Sequence, residues 1–247
     1  MLTVTVVIPV LNDARMLEHA LVALAAQSRR PDAIVVVDNG CTDDSMQIAR
    51  RAGAVIVREP IRGILAATAR GFDAADSDIL ARIDADSRPG PEWLRQVMDH
   101  FDASPELSAV TGSGEFYGGS RTARVLGRHL YLGAYFLWVG LLLGRPPLYG
   151  SNFAIRSAAW KHARDRIRRF DRRVHDDLEI SFHLPAEALV RFDPDLAMPV
   201  SARPFATAAQ TWRRVWWGFR TIWVNARAQN LLARRRRVVA ARRKAGR

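Results

Sequence analysis

Two carboxylates one residue apart, Asp84-Ala85-Asp86, form the pattern with the clearest chemical use in this chain. Hard divalent cations such as Mn2+ or Mg2+ take oxygen ligands, and Mg2+ is usually held by one or two carboxylates with phosphate oxygens and waters completing the shell. A cation held this way neutralises the charge that builds on a diphosphate leaving group. The apolar run Ile79 to Ile83 reads as a buried strand, and Pro91 falls at the first-turn position that opens a helix. The pair therefore sits at the carboxyl end of a strand. In extended chain its two side chains point to opposite faces, one toward a ribose and the other toward a metal.

A second acidic group, Asp176, Asp177 and Glu179, lies in VHDDLEISFHL. A carboxylate within hydrogen-bond reach can take the proton of an attacking hydroxyl. The same residues also suit the start of a helix, where the dipole favours negative charge, and residue type alone leaves both readings open. His175 and His183 are eight apart, which is no standard zinc spacing. Asp38 follows the apolar run AIVVV and is either a contact to a nucleoside or a turn residue leading into a helix. Gly150, Ser151 and Asn152 form a small-residue turn before a short strand, where a glycine lets a ligand come close.

These residues need a scaffold, and the hydrophobic pattern supplies one. Strand-like runs at 3–10, 33–37, 55–57 and 79–83 alternate with helical patterns at 14–27, from Asp43 to about 52, and at 63–75. Alternation of this kind predicts βαβ units in a mostly parallel sheet, an α/β fold. Ligands of such sheets bind beyond the carboxyl ends of the strands. Asn12 and Asp13, Asp38 and Asn39, and Asp84 and Asp86 all fall at such ends, so they are expected to converge on one crevice. The apolar run 130–143 is too short to span a bilayer, which takes about 20 residues. It is read either as a buried or partly buried helix or as an interfacial, acceptor-side one.

Taken together these segments resemble glycosyltransferase family 2. VTVVIPVLND is similar to that family's opening strand, VVVDNGCTDDS to its Val-Asp-Asp-Gly-Ser-x-Asp segment, and IDADSRPGPEWL to its metal-binding segment. YGSNFAIRSAAW resembles its Gly-x-Asn-x-Ala-x-Arg acceptor-side segment, and HDDLEISFHL the segment that carries its base. The resemblance covers roughly residues 3–193. It implies the GT-A fold: a catalytic domain over residues 1–203, with a nucleotide-sugar half (about 1–112) and an acceptor half (about 113–203). It also implies inverting transfer of a sugar from a nucleoside diphosphate donor with Mn2+ or Mg2+. In that reading Asp86 holds the metal, and Asp84 binds the ribose or the metal through water. The donor is expected at Pro9, Asn12, Asp38, Asn39 and Asp84. Asp177 aligns with the base, with Asp176 in the place of the usual Glu, and Gly150, Ser151 and Asn152 lie on the acceptor side. The chain departs from the family at Asn39, Cys41 and Thr68-Ala69. The last pair replaces a common Arg-Asn, and Arg62, Arg70 or Arg82 stand nearby as substitutes.

Charge separates the C-terminal segment from the rest. Residues 203–247 contain 13 Arg or Lys and no Asp or Glu, which leaves 24 basic against 25 acidic residues elsewhere. A near-neutral body argues against nucleic acid as partner, while a basic tail over 204–247 calls for an anionic surface. Trp212, Trp216, Phe219 and Trp223 follow i, i+4, i+7, i+11, a stripe down one helix face, with Arg213, Arg220, Arg227 and Arg234 beside it. Such a helix suits an anionic membrane surface and a lipid-linked or glycan acceptor; the other reading packs the stripe on the body. With Cys41 alone, no intrachain disulfide can form, and Met1 to Val10 shows no leader pattern, so a cytoplasmic, membrane-peripheral site is expected.

Overall fold

The structure, a computed structural model, describes residues 1–118, 125, 132–203 and 207–245. Seven strands make one sheet: β1 Val4–Val10, β2 Ala33–Asp38, β3 Val55–Arg58, β4 Ile79–Arg82, β5 Leu107–Tyr117, β6 Phe153–Arg156 and β7 Leu189–Ser201. Their order is β3-β2-β1-β4-β6-β5-β7. The first four run parallel, β6 runs antiparallel to both β4 and β5, and β5 pairs parallel with β7. All four strands expected between residues 3 and 83 form. In the second half only the short β6 was foreseen, because the long β5 and β7 mix polar and apolar residues without a steady alternation.

The central strand explains the layering. Every residue of β1 is buried, so both of its faces need a cover. Val4, Val6, Ile8 and Val10 pack with Leu17, Leu21 and Leu24 of α1 (Ala14–Ala25) and with Trp93, Leu94, Val97 and Phe101 of α4 (Trp93–Ala103). On the other face Val7, Val35, Val37 and Leu80 pack with Leu65, Ala69 and Phe72 of α3 (Ile64–Ala74). Phe72 also meets Phe153 and Trp160 edge-on, with ring centroids 6.0 and 5.2 Å away. Gly71 lets α3 lie directly on β1 and β2, since a Cβ there would collide with Val7 and Val37. The short α2 (Ser45–Arg51) has Asp44 as its N-cap residue; Asp43 accepts hydrogen bonds from the amides of Ser45 and Ala14, tying the starts of α2 and α1 together.

Past β5, residues 130 and 131 of the apolar run lie outside the described residues. The remainder passes through a π-helical turn, Tyr135–Val139, into α5 (Gly140–Leu143). Val139 and Leu143 are buried, while Leu137, Trp138 and Leu141 are exposed, so this segment is half buried. The chain continues through α6 (Ser157–Ala163), α7 (Asp176–His183), α8 (Ala208–Ala228) and α9 (Leu231–Ala245). Among the described residues no helix is long and apolar enough to cross a membrane.

Candidate active site

The parallel register sets the crevice. Pro9 lies beside Val37 and Val10 beside Asp38, while Val7 lies beside Arg82 on the other flank. The loops that leave β1, β2 and β4 therefore emerge together. Asn12, with a φ of 53°, turns its Oδ1 to accept from the Thr42 amide at 2.7 Å. Asp38 Oδ1 accepts from the amides of Gly40 and Cys41, which is the turn role; Oδ2 makes no hydrogen bond among the described residues. Asn39 is buried, and its side chain is spent on the neighbouring loop: it donates to the carbonyls of Glu59 and Ile61 and accepts from the Gly63 amide.

Beside these strand ends is a cavity of about 630 Å³, lined by Pro9, Leu11, Asn39, Ala67, Trp217 and three arginines, Arg62, Arg172 and Arg173. None of the three arginines makes an ion pair among the described residues, so the cavity offers apolar walls and uncompensated positive charge. Of the three arginines considered as substitutes for the missing Arg-Asn pair, only Arg62 lines it; Arg70 is exposed and Arg82 is buried elsewhere.

The Asp84-Asp86 pair lies just beyond β4. The chain is not extended there. It turns, with the Ser87 amide donating to the Asp84 carbonyl at 3.1 Å, so the two carboxylates share one neighbourhood instead of facing apart. Asp84 Oδ1 is 2.9 Å from Arg82 Nη2, and Asp84 Oδ2 accepts a short hydrogen bond from the Ser151 hydroxyl. Burial pushes the Asp84 carboxyl up, but the Arg82 guanidinium and the Ser151 hydroxyl outweigh it and hold the group below the usual range. Asp86 goes the other way: burial and the neighbouring Asp84 push it up to about 6, against the pull of Arg203. Arg203, just past β7, donates to both oxygens of Asp13 at 3.0 and 2.6 Å and to Asp86 Oδ2 at 3.3 Å. A cationic side chain thus sits between Asp13 and Asp86.

The acidic cluster sits at the start of α7, against the same strand end. Asp176 Oδ2 accepts from Arg82 Nη2 at 3.2 Å and from the Thr68 hydroxyl at 2.9 Å. Asp177 Oδ2 accepts from the Gly150 amide at 2.7 Å and Oδ1 from its neighbour Leu178 at 2.7 Å. Burial, with the adjacent Asp176 second, raises the Asp177 carboxyl above its ordinary value. Glu179, in contrast, is fully buried against Arg168 and Asn225, a structural anchor for α8. Gly150 reaches this cluster and Ser151 reaches Asp84, but Asn152 reaches neither: its side chain is fully buried and bonded to Trp93 Nε1 and to the Ser113 and Leu196 carbonyls. Its place in the sequence pattern reflects packing between β5, β7 and α4. Sequence reasoning missed Arg203, Thr68 as a partner of Asp176, and Trp217, because each comes from an element remote in sequence from the motif it serves. It had named Arg82 without its partners.

A family model for glycosyl transferase family 2 matches residues 5–195. The chain belongs to glycosyltransferase family 2. It is 39% identical over 109 residues to an uncharacterized glycosyltransferase of Mycobacterium tuberculosis, covering 44% of this chain and 47% of that protein. Over 121 residues it is 29% identical to glycosyltransferase AglE of Haloferax volcanii, covering 46% of this chain and 40% of that one. The chain therefore spans about half the length of these curated relatives. Glucosyl-3-phosphoglycerate synthase from Mycobacterium tuberculosis, solved with Mn2+, UDP-glucose and glycerol 3-phosphate, aligns with a TM-score of 0.51 and 26% identity over 64% of this chain and 58% of that one. A further complex of the same synthase aligns with a TM-score of 0.57 and 22% identity over 79% of this chain and 70% of that one, and the shared architecture is the GT-A fold.

Proposed function

We propose that this protein transfers a sugar from a nucleoside diphosphate donor, bound with a divalent metal, to an acceptor hydroxyl or phosphate, with inversion. The observation that carries the reading is the meeting of Asp84, with Asp86 beside it, and Asp176, with Asp177 beside it at the start of α7, around the buried Arg82. The donor set fits a metal such as Mn2+ or Mg2+: two hard carboxylates share one neighbourhood, where burial and Asp84 push the Asp86 carboxyl up to about 6 despite Arg203. When bound, the metal neutralises the departing diphosphate. The synthase aligned above, solved with Mn2+ and UDP-glucose, supports the same class of donor.

The protein's own groups do the rest. The cavity at Pro9 receives the nucleoside, with Asp38 at the neighbouring strand end, and Arg62, Arg172 and Arg173 attract the diphosphate. Asp177 takes the acceptor proton as the acceptor oxygen bonds to the anomeric carbon and the electron pair of the old bond leaves with the diphosphate; burial and Asp176 raise its carboxyl, which makes it the stronger proton acceptor. Asp176, held by Arg82 and Thr68, keeps its neighbour in place. The alternative, a sugar-nucleotide-binding protein without catalysis, predicts donor binding with no transfer or donor hydrolysis. Incubation with Mn2+ and UDP-, GDP- or dTDP-sugars, with and without chelator, separates the two.

The same reading places the acceptor on a lipid or glycan of the cell envelope, with the protein peripheral to the inner face of the cell membrane. Trp212, Trp216, Phe219 and Trp223 are exposed on one face of α8, whereas Trp217, Thr221 and Asn225 turn to the body. The arginine stripe divides. Arg213 and Arg227 lie over Trp217 and Trp223, but Arg220 pairs with Asp171 and Arg234 is buried, donating to the carbonyls of Ser181 and Leu184. The positive charge left for an anionic surface comes chiefly from the run after Arg234.

A further inference from the structure

We propose that Arg82 is a positioning residue that couples the two halves of the site, so that the acidic start of α7 sets how strongly Asp84 can serve a cation. The proposal rests on the metal-dependent reading above. Arg82 ends β4, is 2% exposed, and lies beneath both acidic groups. One nitrogen, Nη2, is 2.9 Å from Asp84 Oδ1 and 3.2 Å from Asp176 Oδ2. The same N–H-bearing atom is thus divided between a carboxylate on the strand end and one on a helix that joins the chain nearly a hundred residues later.

Two features show that this is a shared contact and not two independent pairs. Among the described residues Arg82 Nε and Nη1 are buried without a hydrogen-bond partner, so a guanidinium that gives up one acid has no second partner there to compensate. Asp176, on its side, is also held by the Thr68 hydroxyl, which fixes it where Nη2 must reach. A second path closes the ring: Ser151 donates to Asp84, and the Gly150 amide donates to Asp177. A Cβ at Gly150 would stand 3.0 Å from Arg82 Nη1 and 3.2 Å from Asp177 Oδ2, so glycine is what lets the turn sit on both. Charge balance gives the coupling its sign. Three carboxylates, Asp84, Asp176 and Asp177, surround one guanidinium and together keep it charged. The more of Arg82 that Asp176 takes, the less remains to neutralise Asp84, and the more negative Asp84 is toward a cation.

The test is Mn2+ affinity, read by electron paramagnetic resonance titration of the full chain with Mn2+ alone. Asp176→Asn lets Arg82 turn wholly to Asp84, and Mn2+ affinity is expected to fall roughly three- to tenfold, the size usual for coupling between contacting charged groups. In an Arg82→Met background the same Asp176→Asn change is expected to alter affinity less than twofold, because no cation then lies between the two carboxylates. Arg82→Gln, which can still donate hydrogen bonds to the carboxylates without carrying charge, is expected to give the same loss of coupling where Arg82→Met does not fold. An equal drop in both backgrounds means that Asp176 acts on the cation through space, and overturns the proposal. No effect of Asp176→Asn in the wild-type background overturns it also. Wild-type protein that binds no Mn2+ at all contradicts the metal-dependent reading itself, and the two failures are thereby told apart.

Discussion

At the scale of single residues the account turns on carboxylates whose neighbours set their charge. Asp86 titrates near 6 because it is buried and stands beside Asp84. A metal must displace that proton, so Mn2+ affinity is expected to fall as pH drops through about 6 and to level off above it, measured by titration at fixed ionic strength. The stability sign is opposite. A carboxyl raised from 3.8 to about 6 favours the protonated folded form, so its contribution to stability is present below pH 4 and is lost as pH rises to 6. Metal-free protein should show that loss in its melting temperature, and Asp86→Asn should flatten it. Asp177 makes the second prediction at this scale. Asp177→Asn is expected to keep donor binding while transfer falls roughly 10²–10⁴-fold, the usual weight of general-base catalysis. If Asp176→Asn proves as damaging to transfer with Asp177→Asn harmless, the base is Asp176.

At the scale of elements, the first four strands and their helices were legible because β1, β2 and β4 are buried on at least one face and are mostly β-branched or aliphatic, with Pro9, Asp38 and Arg82 only at or near their ends. The convergence of strand ends followed from that topology. The turn at Asp84–Asp86 was not legible, since nothing in the composition of IDADS distinguishes a strand's last residues from a turn just after it. Nor was the role of α8. Its aromatic stripe marks a surface, but its inward face carries Trp217 together with Thr221 and Asn225, two polar residues with partners on other elements. Asn225 donates to Glu179 Oε2 at 2.7 Å and accepts from Arg168, and Thr221 accepts from the His175 amide at the start of α7. Asn225→Leu strips partners from a fully buried Glu179 and is expected to lower stability by about 1–3 kcal/mol. Chemical denaturation reads that change; a midpoint unmoved by it would mean that α8 does not brace α7.

At the scale of the whole molecule, the C-terminal helices serve two surfaces at once. Removing everything after β7 would take Trp217 from the cavity and Asn225 from α7, so truncation cannot isolate the membrane role. The informative variant replaces only the outward residues, Trp212, Trp216, Phe219 and Trp223, by serine. Wild-type chain is expected to sediment with anionic liposomes, less so in high salt, and the variant to lose most of that binding while keeping its melting temperature. Equal sedimentation of both would leave the exposed stripe without a membrane function. The claim on which everything else depends is that Asp86 helps hold a metal that in turn holds a nucleoside diphosphate. Calorimetric titration of UDP, GDP and dTDP into the protein, with Mn2+ or with chelator, tests it most directly. The account predicts that one of the three nucleotides binds with Mn2+, that chelator weakens it at least tenfold, and that Asp86→Ala does the same while the protein stays folded. Nucleotide binding of equal strength in chelator and in Mn2+, or unchanged by Asp86→Ala, would contradict it.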